Sequence, residues 1–370
     1  VSEALAAADS AVIAVSGKSG LTTGAKQSFQ KARALKKAVA FFVGKLDSTH
    51  AHFYRVISSL VANYGAVICP VVIPYIENDE VKSYIDLITN KAYACDGLEL
   101  KELRMPVSNE ADEMRSMLLE AIATADDALM EKYFAGEEFT PEEIIEGLKK
   151  GVTSGEICPV FAGVQQTGAA VPLMVDTLLQ ILPSAADAVC RFEDGEEKAF
   201  DENGENALFV FKTIADPFVG KLSYFRVLSG KIKNDTRLIN NRTGGEERLS
   251  KIMWLKGGKQ EDAGEIIAGD IGSVSKLGNV LTGDTLSASG KLAAAAVDFP
   301  APTISVAVYP KAKGDEEKIT QAFSRLCEED PTIKVYTDNE THEQILSALG
   351  EQHIDVIVSR LKSKFGAEVE

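Results

Sequence analysis

Residues 11–20 read AVIAVSGKSG, and whether they form a nucleotide loop or an ordinary strand end decides the fold. The small and β-branched residues predict a buried strand. Gly17-Lys18-Ser19 follows it at once, as the end of a phosphate-binding loop would. Such a loop also needs a glycine five residues earlier, where its backbone curls round a phosphate. The residue there is Val12, inside the strand, and a β-branched side chain blocks the curl. The spacing therefore favours a strand, a turn and a helix that hold no phosphate.

Outward from this stretch, strand and helix signals alternate. AKQSFQKARALKK has a helical distribution of basic and apolar residues, AVAFFVG is a second buried strand, and AHFYRVISSLVANYG is a helix closed by Gly65. Such alternation predicts a parallel α/β sheet, whose ligands sit at the carboxyl ends of its strands. The stretch to inspect is then FFVGKLDST, residues 41–49.

Residues 66–155 read as an inserted subdomain. It begins with a strand pair, VICPVVIPYI and VKSYIDLITNKAYAC, and continues into acidic helices. Thr140-Pro141-Glu142-Glu143 marks one helix start, with a capping hydroxyl, a first-turn proline and early acids. CPVFAG then returns as a buried strand, and AVPLMVDTLLQILP is a helix stopped at Pro183.

Composition narrows the classes. The 370 residues imply two or three domains. A net charge of −16 argues against a chain that wraps nucleic acid along its whole length. Residues 207–300 differ, with 13 Lys/Arg against 10 Asp/Glu, net +3, leaving −19 for the rest. Five scattered cysteines without a CxxC pair fit a reducing, cytoplasmic setting. Four histidines without ligand spacing predict no metal site, and no apolar run reaches the ~18 residues of a membrane span. Glu328, Glu329 and Asp330, before Pro331, predict a helix end and turn. Ser223 and His353 have no triad context, and no catalytic residue is assigned.

After an acidic linker at 191–206, residues 207–297 carry short strands with glycine turns, the pattern of an antiparallel β-barrel. Residues 302–370 read strand, helix, two strands, helix and a final strand, the βαββαβ order of a ferredoxin-like domain.

These last sections carry a resemblance. ADPFVGKLSYFRVLSGKI (215–232), AGEIIAGDIGSV (263–274) and TGDTL (282–286) closely resemble the second domain of elongation factor G. SVAVYPKAKGDEEKITQAFSRLCEEDPTIKV and SALGEQHIDVIVSRLK resemble its third domain, and QILPSA extends the match back toward Val1. The resemblance implies that residues 1–190 are the later part of a P-loop GTPase-type α/β domain with an α+β insertion. The phosphate loop and both switch regions would then lie upstream, in a missing N-terminal region that also supplies the Mg site, and Gly17-Lys18-Ser19 would follow the second switch.

Two guanine-recognition elements of the family fall within the chain. The first, Asn-Lys-x-Asp, corresponds to Gly44-Lys45-Leu46-Asp47. Asp47 keeps the carboxylate for the base edge and Lys45 the stem that lies along the base, while Gly44 supplies no amide. Loss of that hydrogen-bonding partner would cost about 1–3 kcal/mol. The second, a Ser-Ala pair, corresponds to Val164-Gln165, where backbone donation survives the change of side chain.

The resemblance implies GTP or GDP as cofactor and the ribosome as partner. Ribosomal RNA would meet the barrel, stalk proteins would meet the acidic insertion, and no membrane would be involved. The expected role is GTP-dependent translocation in protein synthesis, with this chain inactive in hydrolysis by itself. The alternatives are a non-hydrolysing or regulatory ribosome-binding paralogue and a ribosomal-protection factor.

Overall fold

The computed structural model describes residues 1–216, 220–257, 259–312 and 314–370. Pro217, Phe218 and Val219 of the 215–232 segment, Gly258, and Lys313 of the third-domain segment lie outside the described residues. The chain divides into two compact units, one of Val1 with Ala8–Ser184, the other of Ser2–Ala7 with Ala185–Glu370. Helix α1 (Ser2–Ala7) belongs to the second.

The first unit is built on one seven-stranded sheet. Its strands are β1 (Ser10–Ser16), β2 (Ala38–Gly44), β3 (Ile68–Glu77), β4 (Glu80–Asp86), β5 (Lys91–Asp96), β6 (Glu99–Leu103) and β7 (Cys158–Ala162), in the order β1-β2-β7-β3-β4-β5-β6. The first four pair in parallel and the last three extend the sheet antiparallel. Every residue of β2 is buried, the continuous apolar run of a strand covered on both faces. Phe29, Phe41 and Tyr64 stack beside it.

Two expectations change here. β1 lies at the sheet's edge and alternates, with Ile13 and Val15 buried, Ala14 exposed and Val12 45% exposed. The 66–155 insertion shares the main sheet, because β3 pairs with β7 from Ile68 opposite Cys158. Pro70 would interrupt that ladder, and the register shifts between Pro70 and Val72 to accommodate it.

Helices α2 (Thr23–Ala34), α3 (Phe53–Tyr64), α4 (Asn109–Ala125), α5 (Asp127–Phe134), α6 (Pro141–Ser154) and α7 (Val171–Ile181) complete the unit. The acidic stretch 109–134 folds as two helices. Asp126 adopts extended backbone and its carboxylate accepts from the Ala128 and Leu129 N–H groups, starting α5 afresh. The start read at Thr140 is a full capping box, with Glu143 N–H donating to Thr140 Oγ1 at 3.3 Å and Thr140 N–H to Glu143 Oε2 at 2.8 Å.

In the second unit, the expected linker is partly structured. β8 (Val189–Arg191) and β9 (Glu197–Ala199) form a hairpin, and Cys190 and Phe192 are buried with Ala7, Phe209 and Leu228. The following strands are β10 (Ala207–Asp216), β11 (Gly220–Ser229), β12 (Lys231–Lys233), β13 (Thr236–Asn240), β14 (Glu246–Leu249), β15 (Ile252–Lys256), β16 (Lys259–Asp262), β17 (Glu265–Ile267), β18 (Ile271–Ser275) and β19 (Thr285–Ser287). Eight form the antiparallel sheet β14-β13-β19-β10-β11-β18-β15-β16, and β12 pairs with β17. Leu208, Phe225, Leu238, Ile252, Val274 and Leu286 from across this sheet share one core, so it curls round them. Asp284 ties its loops, accepting from Asn240 and, through both oxygens, from Arg242.

The last section contains β20 (Ile304–Val308), α8 (Glu316–Glu329), β21 (Lys334–Thr337), β22 (Gln344–Ala348) and α9 (Glu351–Phe365), with sheet order β20-β22-β21. The sixth expected element is reduced to the chain end, where Val369 bridges Pro310 and Tyr309 and Glu370 exchange backbone hydrogen bonds. The 328–330 acids do end a helix, and each also has a partner. Glu328 pairs with Lys221 at 3.0 Å, and the Asp330 carboxylate accepts from His353 Nε2 at 3.2 Å. Glu329, 8% exposed, accepts from Lys364 Nζ at 2.7 Å and from the Ala215 N–H at 2.6 Å.

Two outcomes are expected. Glu329→Ala removes the acceptor of the Ala215 N–H and one partner of Lys364, which still donates to Ala215 O at 3.2 Å, and denaturant unfolding of the second unit should show a loss of about 1–2 kcal/mol. For Asp284, burial pushes the carboxyl up, but the bonds from Arg242, Leu281 N–H and Asn240 outweigh it and hold it below the usual range. Its contribution is then present above about pH 4 and lost as pH falls further. Stability of Asp284→Asn should be lower at neutral pH and flatter between about pH 4 and pH 2 than that of the parent.

Candidate functional site: the loops at the carboxyl ends of β1, β2 and β7

Three parallel strands end side by side at Ser16, Gly44 and Ala162, and the loops that follow are stitched together. Gly17 N–H donates to Gly44 O at 2.8 Å, and Gly163 N–H to Val43 O at 3.1 Å. His52 N–H donates to Gly17 O at 3.0 Å, returning the chain to the same point before α3.

Gly17-Lys18-Ser19 is a closed turn. Lys18 and Ser19 N–H donate to Ser16 Oγ, and Gly20 N–H to Ser16 O. With Gly17 N–H held by Gly44, four successive backbone donors are already engaged, whereas a phosphate loop leaves its donors facing the anion. The glycine has its own reason. A Cβ on Gly17 would lie 2.8 Å from Leu46 Cδ2 and 3.3 Å from Gly44 O.

At the end of β2, Leu46 is buried while Lys45 and Asp47 are exposed. Lys45 has φ +57°, a left-handed conformation that a side-chain-bearing residue keeps only under constraint. Asp47 lies near the buried Tyr84, whose hydroxyl is pushed up first by burial and further by Cys95 and Asp47.

After β7, the loop bonds to itself. Val164 N–H donates to Ala169 O at 3.0 Å and Gly168 N–H to Val164 O at 2.9 Å. The backbone donor expected at Val164 is therefore taken. Gln165 contributes through its side chain instead, Oε1 accepting from Lys45 N–H at 3.0 Å. Nothing in the sequence alone signals this bridge, because residues 45 and 165 become neighbours only through the β2–β7 pairing. The turn between β5 and β6 also meets this loop, since a Cβ on Gly168 would lie 2.7 Å from Leu98 Cδ2.

The structure thus brings Gly44, Lys45, Asp47, Val164 and Gln165 to one place. Chemically, the site offers an exposed carboxylate for a pair of N–H donors beside an aliphatic lysine stem. Among the described residues, no group of three or more His, Cys, Asp or Glu is placed to hold a metal ion.

Comparison with known proteins fits this architecture. The family description "Elongation factor Tu GTP binding domain" matches residues 1–184, "Elongation factor G domain 2" matches 205–289, and "Elongation Factor G, domain III" matches 299–370. A protein of Thermus thermophilus, known from a crystal structure, superposes with a TM-score of 0.83 at 29% identity, over 100% of this chain and 54% of that one. The fold and the family match over residues 1–184 define an α/β domain of the GTP-binding type, joined to β and α+β modules. The chain belongs to the elongation-factor-G-like translational GTPases. It spans about half the length of that structural relative.

Gly17→Ala should lower the melting temperature by crowding Leu46, while Lys18→Ala should leave nucleotide affinity in the intact factor unchanged. A calorimetric loss of GDP binding in Lys18→Ala would restore the phosphate-loop reading.

Proposed function

We propose that this chain is the base-recognising and ribosome-facing portion of a factor that acts in GTP-dependent translocation. The observation that carries the reading is the exposed Asp47 carboxylate beside Lys45, at the mouth of the loops after β2 and β7, in a chain whose residues 1–184 match an elongation factor Tu GTP-binding domain and whose residues 205–289 and 299–370 match elongation-factor-G domains. A carboxylate there suits the N1–H and 2-amino donors of guanine.

Phosphate and Mg contacts, which carry most of the transfer chemistry, are assigned to residues outside this chain. The engaged donors of residues 17–20 support that assignment. No helix among the described residues is long and apolar enough to cross a membrane, and the proposed setting is cytoplasmic.

For the ribosomal RNA contact through the barrel, the ion pairs are informative. Lys231, Lys233, Arg237, Arg242, Arg248, Lys251 and Lys256 each pair with a carboxylate. Six of those carboxylates lie within 207–300 and are already counted in its +3, so the pairing leaves that small surplus as it is, and contact with RNA through a surplus of this size should have a shallow salt dependence. The acidic insertion with α4, α5 and α6 is proposed to meet stalk proteins.

A second reading, a non-hydrolysing regulatory paralogue, is favoured by the departures at Gly44 and Val164-Gln165. Calorimetric titration of GDP and GTP, with Mg, into the intact factor separates the two. Binding tighter than about 10 μM, roughly −7 kcal/mol, is expected. Absence of binding at millimolar nucleotide would overturn the proposal in favour of the paralogue. This chain alone should show no multiple-turnover phosphate release above a protein-free blank.

A further inference from the structure

At the tips of β2 and β7, the two departures from the family pattern touch each other. Gln165 Oε1 accepts from Lys45 N–H at 3.0 Å. A Cβ on Gly44 would lie 2.7 Å from that same oxygen, 3.6 Å from Gln165 Cδ and 3.0 Å from Phe42 Cε1. The Gln165 carboxamide occupies the space that a side chain at position 44 would enter. No residue larger than glycine fits there unless Gln165 moves.

The contact also completes a clamp. The carbonyl of Gly44 and the N–H of Lys45 belong to one peptide group. Its oxygen is held from the β1 side by Gly17 N–H at 2.8 Å, and its N–H from the β7 side by Gln165. Lys45, at φ +57°, follows directly. A non-glycine residue in that region needs its neighbours to over-determine it, and the clamp does so.

We propose that Gly44 and Gln165 are a matched pair, in which the Gln165 carboxamide holds the Lys45–Asp47 turn in place of an amide at position 44 and so presents the Asp47 carboxylate to a purine bearing a donor edge. Gln165 is thus a positioning residue acting through Lys45. The inference rests on the base-recognition reading above for its ligand, but the pairing itself stands on geometry. Two independent losses would leave a vacant, loosened loop, whereas the loop here is filled and bonded on both sides.

A double-mutant cycle on this chain tests the pairing without nucleotide. Gly44→Asn and Gln165→Ala should each lower the melting temperature, by about 2–4 °C for each kcal/mol lost in a unit of this size. Combined, they should cost clearly less than their sum, because truncating Gln165 opens room for the asparagine and the asparagine amide replaces the lost tether. Gln165→Glu keeps an oxygen for Lys45 N–H and should stay closer to the parent than Gln165→Ala. Additive losses, or a Gln165→Ala variant as stable as the parent, would overturn the pairing.

In the intact factor, preference for GDP over IDP, which lacks the 2-amino donor, should fall about tenfold in Gln165→Ala. It should recover in the Gly44→Asn/Gln165→Ala variant. Unchanged preference in Gln165→Ala would overturn the positioning role. An intact factor that binds neither nucleotide would overturn that role together with the base-recognition reading, while a non-additive cycle would still support the pairing.

Discussion

A single peptide group, between Gly44 and Lys45, organises the carboxyl end of the parallel strands. Its carbonyl is bound by the loop after β1 and its N–H by the loop after β7. Three strands that lie together only because the sheet is parallel thereby become one surface. The positive φ of Lys45, the burial of Leu46 and the exposure of Asp47 belong to the same arrangement. So does the absence of a side chain at Gly17, where a methyl would meet both Leu46 and the clamped carbonyl. The glycine that suggests a phosphate loop is spent on keeping this peptide in place.

How much of this was legible follows from the range of each interaction. Local rules worked where the cause is local. Thr140 and Glu143 are three residues apart and cap each other, and Gly65 ends α3 with φ +76°. The buried run AVAFFVG announced an inner strand, and β2 is one. Readings faltered where a distant partner decides. Asp126 lies inside an unbroken helical pattern, yet its carboxylate starts a new helix and also binds Lys150 at 2.6 Å. The strand status of 189–199 depends on a core shared with Ala7 and Phe209. The sheet shared by the insertion depends on β3 finding β7 across about ninety intervening residues. At the site, the family resemblance pointed to Lys45 and Asp47 at a strand end, whereas nothing near residue 165 names residue 45 as the partner of its side chain.

Charge behaves differently in the two units. The excess of acid is concentrated in the first unit and in the ends of the second, whereas the barrel sets Lys233, Arg237, Arg242, Arg248, Lys251 and Lys256 against carboxylates of its own strands and loops. Exposed pairs of this kind add little stability. Their effect is to hold down the field that the barrel projects.

The contact of Leu98 with Gly168 sets a limit on how the insertion can vary. Surface hairpins usually tolerate gain or loss of residues at their tips. The β5–β6 turn does not have that freedom, because its tip rests on the loop that carries Gln165. A residue added there would push against Gly168, and a residue removed would leave the loop unsupported. Length variation in this insertion should therefore collect away from residues 96–98, in the segments joining its helices.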